Sequence, residues 1–240
     1  MLKQIQIGID TGGTFTDFVF FDGESITIHK VPSTPDDPSK AIISGIKEVL
    51  GSEQLELHIV HGTTVATNAL LERKGARIAL LTTKGFEDVI QIGRQNRGKL
   101  YDIFWEAPVS LVPPSLRFGI TERTNFEGKV IKSVKKSEVL NLCKKIKQLD
   151  IEGIAICFLH SYANPKNEEK VEKYLNKLEI PISTSSKILP EFREYERTST
   201  IVANSYLLPK VKNYMNTLSQ KLPGAEISIM QSSGGVMSPD

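Results

Sequence analysis

Residues 5–21 read IQIGIDTGGTFTDFVFF, two apolar runs rich in β-branched and aromatic residues on either side of Gly12 and Gly13. This stretch constrains the fold more than any other, because paired apolar runs around a glycine turn predict a β-hairpin and not a strand running into a helix. The G-x-G-x-x-G fingerprint and the G-x-x-x-x-G-K-[ST] phosphate loop, which both open a helix, are absent from it. What it offers instead is a tight turn with hydroxyls at Thr11, Thr14 and Thr16 and carboxylates at both shoulders, Asp10 and Asp17. Backbone N–H groups in such a turn can converge on an anion, since no Cβ blocks the approach of a phosphate. Asp10, at the end of the first strand, would then face that phosphate and hold Mg²⁺ directly or through water. The same residues equally fit an ordinary hairpin turn in which threonines cap loose amides.

Beyond the hairpin, a third strand is expected over 25–31, followed by a helix capped by Asp36 or Asp37 with Pro38 in its first turn. A short strand at 57–60 ends at His61-Gly62-Thr63-Thr64, a helix runs through Ala66, Ala69 and Leu70, and a strand follows at 77–82. Strands alternating with helices predict parallel pairing. The stretch 93–131 differs in texture, with Pro108, Pro113, Pro114 and glycines at 98, 119 and 128. It reads as a loop-rich insertion with small strands, and Phe104, Trp105, Leu111, Val112, Leu116 and Phe118 give it something to bury. Regular structure resumes with a helix over 137–149, a buried strand over 153–159, a helix from Asn164-Pro165, a short strand near Ile182, a mostly helical stretch over 191–222 with a break expected at Pro209, and a strand over 226–231 running into Ser232-Ser233-Gly234-Gly235. The expected organisation is thus a first lobe begun by 1–92 and completed by 132–222, the insertion 93–131 between them, and 223–240 as the start of a second lobe.

Two other clusters carry polar chemistry. His61, Thr63, Thr64, Thr67 and Asn68 gather at a strand-to-helix junction, where amides and hydroxyls favour an anionic or carbonyl ligand. Taken by themselves, these residues fit better as threonines capping a helix, Thr63 or Thr64, beside a core histidine. The run Arg193-Glu194-Tyr195-Glu196-Arg197 reads as a solvated helix face. With 30 Lys+Arg against 28 Asp+Glu the formal charge is +2, too balanced for a nucleic-acid groove or a membrane-binding face. No basic leader or membrane-length apolar run is present, so a cytoplasmic protein is expected. Cys143 and Cys157 have no metal-ligand spacing and read as buried free thiols.

The blocks GIDTGGTFTD, HGTTVATNALLERKGA, GFEDVIQIGRQNR, REYERTSTIVANSYL and MQSSGGVMS, in that order along nearly the whole chain, resemble the N-terminal region of the ATP-dependent hydantoinase/5-oxoprolinase family, the A-type subunit of N-methylhydantoinases. The resemblance implies an RNase-H-like lobe of the actin/hexokinase-like ATPases: α/β, with a mixed sheet flanked by helices. It implies ATP-dependent opening of a cyclic amide, a hydantoin or 5-oxoproline, through phosphorylation of the carbonyl oxygen. On that implication Asp10 organises Mg²⁺ and the attacking group, Thr11, Gly12, Gly13 and Thr14 hold the terminal phosphates, His61 joins Asp10 as a catalytic candidate, and Thr63, Thr64 and Asn68 lie on the substrate side. Relatives of this kind run to several hundred residues with a second ATPase lobe and work with a B-type subunit. A chain of 240 residues is therefore expected to be a fragment, or to rely on a partner chain for the missing lobe. Subunits of acetone and acetophenone carboxylases share the pattern, a small-molecule kinase is a further alternative, and a non-catalytic nucleotide- or partner-binding lobe is the reading from a different class.

Overall fold

The computed structural model describes residues 3–34, 37–51, 55–96, 98, 101–106 and 108–239. The hairpin is present: β1 (Gln4–Thr11) pairs antiparallel with β2 (Phe15–Phe21), and β2 with β3 (Ile26–Pro32). Burial alternates residue by residue along β1 and β2, as a two-residue side-chain period requires, so Ile5, Ile7, Ile9, Phe18 and Phe20 share one face. Helix α1 (Pro38–Leu50) covers that face with Ala41, Ile42 and Ile46. Asp37 is its cap, the carboxylate accepting from the Ser39 amide at 3.2 Å, while Asp36 lies outside the described residues.

The chain continues through β4 (Glu56–Thr63), α2 (Val65–Leu71), β5 (Ile78–Thr83), α3 (Val89–Ile92), β6 (Arg117–Ile120), β7 (Arg123–Thr124), β8 (Val130–Lys132) and α4 (Lys136–Ile146). Then come β9 (Gly153–Cys157), α5 (Lys166–Leu175), β10 (Ile182–Thr184), α6 (Ser185–Ile188), α7 (Glu194–Lys221), β11 (Glu226–Met230) and β12 (Val236–Met237). Pro209 sits inside α7 without breaking it, contrary to the sequence expectation.

Two compact units result, one formed by 1–74 with 210–240 and the other by 75–209. The first holds a six-stranded sheet in the order β12-β11-β4-β1-β2-β3, with β4 parallel to β1 and β11 parallel to β4. Tyr214, Met215 and Leu218 of α7 join α1 on the core face. Full burial of a side chain such as Phe18 contributes roughly 1.5–3 kcal/mol, which makes this face the main source of the unit's stability. The opposite face, carrying Gln4, Gln6, Gly8 and Asp10 of β1, is exposed.

This division differs from the expected one. Residues 226–230 do not open a second lobe; they pair with β4 and complete the first sheet. Conversely, β5, β9 and β10, expected in the first lobe, build a separate parallel sheet in the second unit, ordered β10-β9-β5-β6. β5 and β9 are buried at every residue, as central strands of a parallel sheet covered on both faces are. The expected insertion is not separate either, since its strand β6 forms an edge of this sheet. Val112, Leu116 and Phe118 are buried as expected, whereas Phe104 stays exposed.

A buried polar cluster lies past the carboxyl ends of these strands. The Glu168 carboxylate accepts from the Phe158 and Ser186 amides, both at 2.9 Å, and from Ser185 Oγ at 2.6 Å. Burial pushes the Glu122 carboxyl above its usual range, against hydrogen bonds donated by Thr83 and Asn167. Arg197, expected on a solvated face, is only 2% exposed: it donates to the Phe158 carbonyl and packs over the Tyr162 ring at 5.4 Å. A helix that is polar by sequence can bury a cation when backbone carbonyls receive it. Both cysteines are free and buried.

Candidate active site

β1, β4 and β11 run parallel and adjacent, so their carboxyl ends meet one edge of the first sheet. Ligands of open α/β sheets characteristically bind beyond that edge. Three segments meet there: the turn after β1, residues Thr63-Thr64 at the end of β4, and the turn after β11. The last closes through Gln231 N to Gly235 O at 3.0 Å, with Gly234 and Gly235 at φ 91° and 83°, values that favour glycine. The sequence reading assigned this second glycine turn to another lobe.

In the first turn Gly12 N donates to Phe15 O at 3.0 Å, which leaves Gly12, Gly13 and Thr14 as the loop. A Cβ on Gly12 would come within 3.2 Å of Phe15 O, while one on Gly13 would meet nothing within 4 Å. The Gly13 side of the turn is therefore open to a ligand. Ser33, which the sequence reading passed over, braces the loop: its amide donates to Thr14 O at 2.9 Å, its hydroxyl to Gly12 O at 2.8 Å, and it lies 3.0 Å from Thr16 Oγ1. A serine twenty-one residues from Gly12 carries no local signal of that role.

Asp10 stands on the exposed face, opposite Asp17 on β2 and Gly62 on β4. Asp17 is paired with Lys30 at 2.9 Å, whereas Asp10 has no hydrogen bond or ion pair among the described residues. A Cβ at Gly62 would lie 3.4 Å from Asp10 Oδ1, an ordinary van der Waals contact, so Gly62 and the carboxylate are close neighbours. No group of three or more His, Cys, Asp or Glu side chains suited to a metal occurs among the described residues. A lone unpaired carboxylate beside an open amide turn suits Mg²⁺, which keeps most of its waters and takes few protein ligands.

The remaining candidates separate by strand parity. Because β4 extends through Thr63 and not only to Val60, His61 pairs with Ile9 and both point into the core. His61 is fully buried, its Nε2 lies 2.7 Å from Tyr214 Oη, and its Nδ1 has no partner. Burial drives its pKa down to about 4 against the opposing influence of the Ile9 carbonyl and the Asp10 charge. It is a neutral core residue on the face opposite Asp10, and the structure removes it from the exposed surface. Burial likewise pushes the Tyr214 phenol above its usual range. The Thr11 side chain is also buried, with Oγ1 unpartnered, so Thr11 offers the open face only backbone. Thr64 Oγ1 donates to Thr11 O at 3.0 Å and lies 3.3 Å from Asn68 Nδ2, while Thr63 Oγ1 accepts from Val65 N at 3.2 Å. Thr64 thereby ties the start of α2 to β1, although as the N-cap residue of α2 it makes no side-chain cap bond. The structure thus gathers Asp10, Gly12, Gly13 and Thr14 at one edge and leaves His61 and the Thr11 hydroxyl beneath it.

Three antiparallel strands extended by parallel strands, with helices on the core face and a glycine turn next to a strand-end aspartate, define an RNase-H-like lobe of the actin-like ATPases. The sequence profile of the hydantoinase/oxoprolinase N-terminal region matches residues 6–178, and the hydantoinase/oxoprolinase profile matches 197–240. The chain belongs to this hydantoinase/oxoprolinase family. It is 41% identical to an uncharacterized protein of Methanocaldococcus jannaschii over 98% of its own length and 36% of the relative's. It is 32% identical to the caprolactamase subunit alpha of Pseudomonas jessenii, covering 90% of this chain and 33% of that one. The crystal structure of the ATP-dependent caprolactamase from that organism superposes with a TM-score of 0.82 at 30% identity, over 98% of this chain and 36% of the other. A nucleotide-free acetone carboxylase gives 0.80 at 27% identity, over 98% and 37%. The chain spans about a third of the length of these relatives. Homologues in the family are ATP-dependent amidohydrolases and carboxylases, several of them subunits of larger enzymes. No helix among the described residues is long and apolar enough to cross a membrane.

Proposed function

We propose that the chain is the phosphate-handling N-terminal part of an ATP-dependent enzyme that opens a cyclic amide, a hydantoin or 5-oxoproline, by phosphorylating its carbonyl oxygen. The observation that carries this reading is Asp10, exposed and unpaired at the end of β1 beside a turn whose Gly13 side is open. An amide carbonyl is a poor electrophile, and phosphorylation of its oxygen gives an activated imidate whose carbon water can attack; the tetrahedral adduct expels the protonated ring nitrogen as an amine, and the acyl phosphate that remains is hydrolysed to carboxylate and phosphate. There is little covalent work for the protein in such a transfer, so catalysis is positioning and charge stabilisation. The amides of Gly13 and Thr14 would bind phosphate oxygens, while the Gly12 amide, bound to Phe15 O, and Ser33 hold the loop in shape before ligand arrives. Asp10 would hold Mg²⁺, whose contribution is to neutralise phosphate charge. The adenosine side and a second subunit would come from polypeptide outside this chain, as the coverage of relatives supports. The acetone carboxylase superposition supports a second substrate class, a simple ketone, activated at the same kind of oxygen.

The test is phosphate release from Mg·ATP by the assembled complex, with and without hydantoin, 5-oxoproline or acetone. Asp10→Asn keeps size and removes charge, so substrate-dependent turnover should fall roughly a hundredfold, the equivalent of about 3 kcal/mol of transition-state stabilisation. Glu24→Gln, in the exposed β2–β3 turn, should leave it unchanged. Undiminished turnover by an assembled Asp10→Asn complex would make the hairpin a structural turn and the lobe non-catalytic.

A further inference from the structure

The second unit has a topological switch point of its own. From β5 the chain leads to β6 on one side, and from there back to β9 on the other, so the connections part between β5 and β9. Open parallel sheets characteristically take ligands in the crevice past the carboxyl ends at such a point. The loops that border it are stitched together from beneath. Thr83 Oγ1 accepts from Leu159 N at 3.0 Å and donates to Glu122, whose other oxygen accepts from Asn167 Nδ2 at 2.7 Å. Glu122 and Glu168 are both buried, so their carboxylates are engaged in this framework and do not face outward.

The charge around the crevice is positive on balance. Arg123 is exposed, its guanidinium lies 5.5 Å from the Phe86 ring, and it has no hydrogen bond or ion pair among the described residues. Arg197 is buried and met by a carbonyl where a carboxylate would neutralise it: it donates to Phe158 O, packs over the Tyr162 ring, and leaves its Nε without a partner. His160 stands near both. Partial burial, then the charges of Arg123 and Arg197, lower its pKa, and Glu194 opposes them more weakly. It adopts φ 55°, a left-handed conformation uncommon for a residue with a side chain. Its Nδ1 lies 3.3 Å from Tyr162 Oη; with the phenol donating there, the ring proton sits on Nε2, which has no partner among the described residues. The undescribed residues of this unit, Arg97, Lys99, Leu100 and Ala107, include no acid that could cancel this charge. We infer that the crevice is a second anion site, in which Arg123 and His160 Nε2 receive the oxygens of a phosphate or carboxylate group and Arg197 adds fixed positive charge from behind Tyr162. The inference is independent of the function proposed above.

With four histidines in the chain, imidazole NMR signals test this directly. In Mg²⁺-free buffer of constant ionic strength, inorganic phosphate should shift one imidazole of the 240-residue chain saturably, with a Kd on the order of 1 mM. The same imidazole should gain a higher pKa, because a bound oxyanion offsets Arg123 and Arg197. His160→Asn, a residue that suits the left-handed backbone, should delete that signal and so assign it. Arg123→Gln, at an exposed position, should weaken phosphate roughly tenfold. Lys173→Gln, which removes the same charge from an exposed position of α5, should not. Acetate is the second probe: binding at least as tight as that of phosphate identifies the ligand group as a carboxylate, and weaker binding as a phosphate. Absence of saturation by either anion well above that concentration, a saturating signal that His160→Asn leaves in place, or a loss for Arg123→Gln no greater than for Lys173→Gln would each overturn the assignment. The signal arises in the second unit without Mg²⁺ or ATP, so its failure is distinguishable from failure of amide-dependent turnover.

Discussion

Lowering the pH from 7 to 5 should weaken the chain through His61 in particular. The imidazole is fully buried, and its pKa is lowered to about 4 from an ordinary 6.5. In the unfolded chain it protonates near 6.5, in the folded chain only near 4, so between these values the unfolded state binds more protons and gains stability as pH falls. The penalty is small at pH 7, grows through the window from 6.5 to 4, and amounts to about 2 kcal/mol between pH 7 and 5. Other groups also titrate there, so the assay compares two proteins: urea unfolding at both pH values for the wild type and for His61→Gln, whose side chain does not titrate. The wild type should lose about 2 kcal/mol more than the variant over the same interval. Direct NMR titration of the four histidines checks the same point, since one imidazole should remain neutral to near pH 4. Equal losses in the two proteins, or four imidazoles all titrating near 6.5, would refute the burial of a neutral His61 against Tyr214.

Two further outcomes follow from packing and coverage. Gly45→Ala in α1 would ordinarily stabilise a helix by up to about 1 kcal/mol, but here the new Cβ would lie 2.5 Å from Cζ of the fully buried Phe18, so a net loss of about 1–2 kcal/mol in urea unfolding is expected, and a raised midpoint would contradict the packing. On the proposed function the chain by itself should bind Mg·ATP weakly, with a Kd on the order of 1 mM, because it offers one open glycine turn and about a third of its relatives' length; micromolar binding in calorimetry would show that no further polypeptide is needed.

What the sequence by itself determined is what depends on neighbours within about ten residues. The hairpin around Gly12-Gly13, the Asp37 cap ahead of Pro38 and the inward stripe of Ile42 and Ile46 were legible because turn chemistry and side-chain period are local. Asp10 and its turn, the centre of the candidate site, were legible for the same reason. The tertiary structure decided the rest. Ser33 and Tyr214 reach the site region from distant segments, which no spacing announces. Whether His61 belonged with Asp10 turned on the length and register of β4: extending that strand through Thr63 sets His61 against Ile9 and Gly62 against Asp10, and strand alternation then sends the two side chains to opposite faces. Arg197 reads as surface because its neighbours are charged, and it is buried because the Phe158 carbonyl beyond β9 receives it. The assignment of β11 to the first sheet and of β5 to a second could not be read from either strand alone, since an apolar strand states only that it must pair; its partner is chosen by the closure of the whole chain.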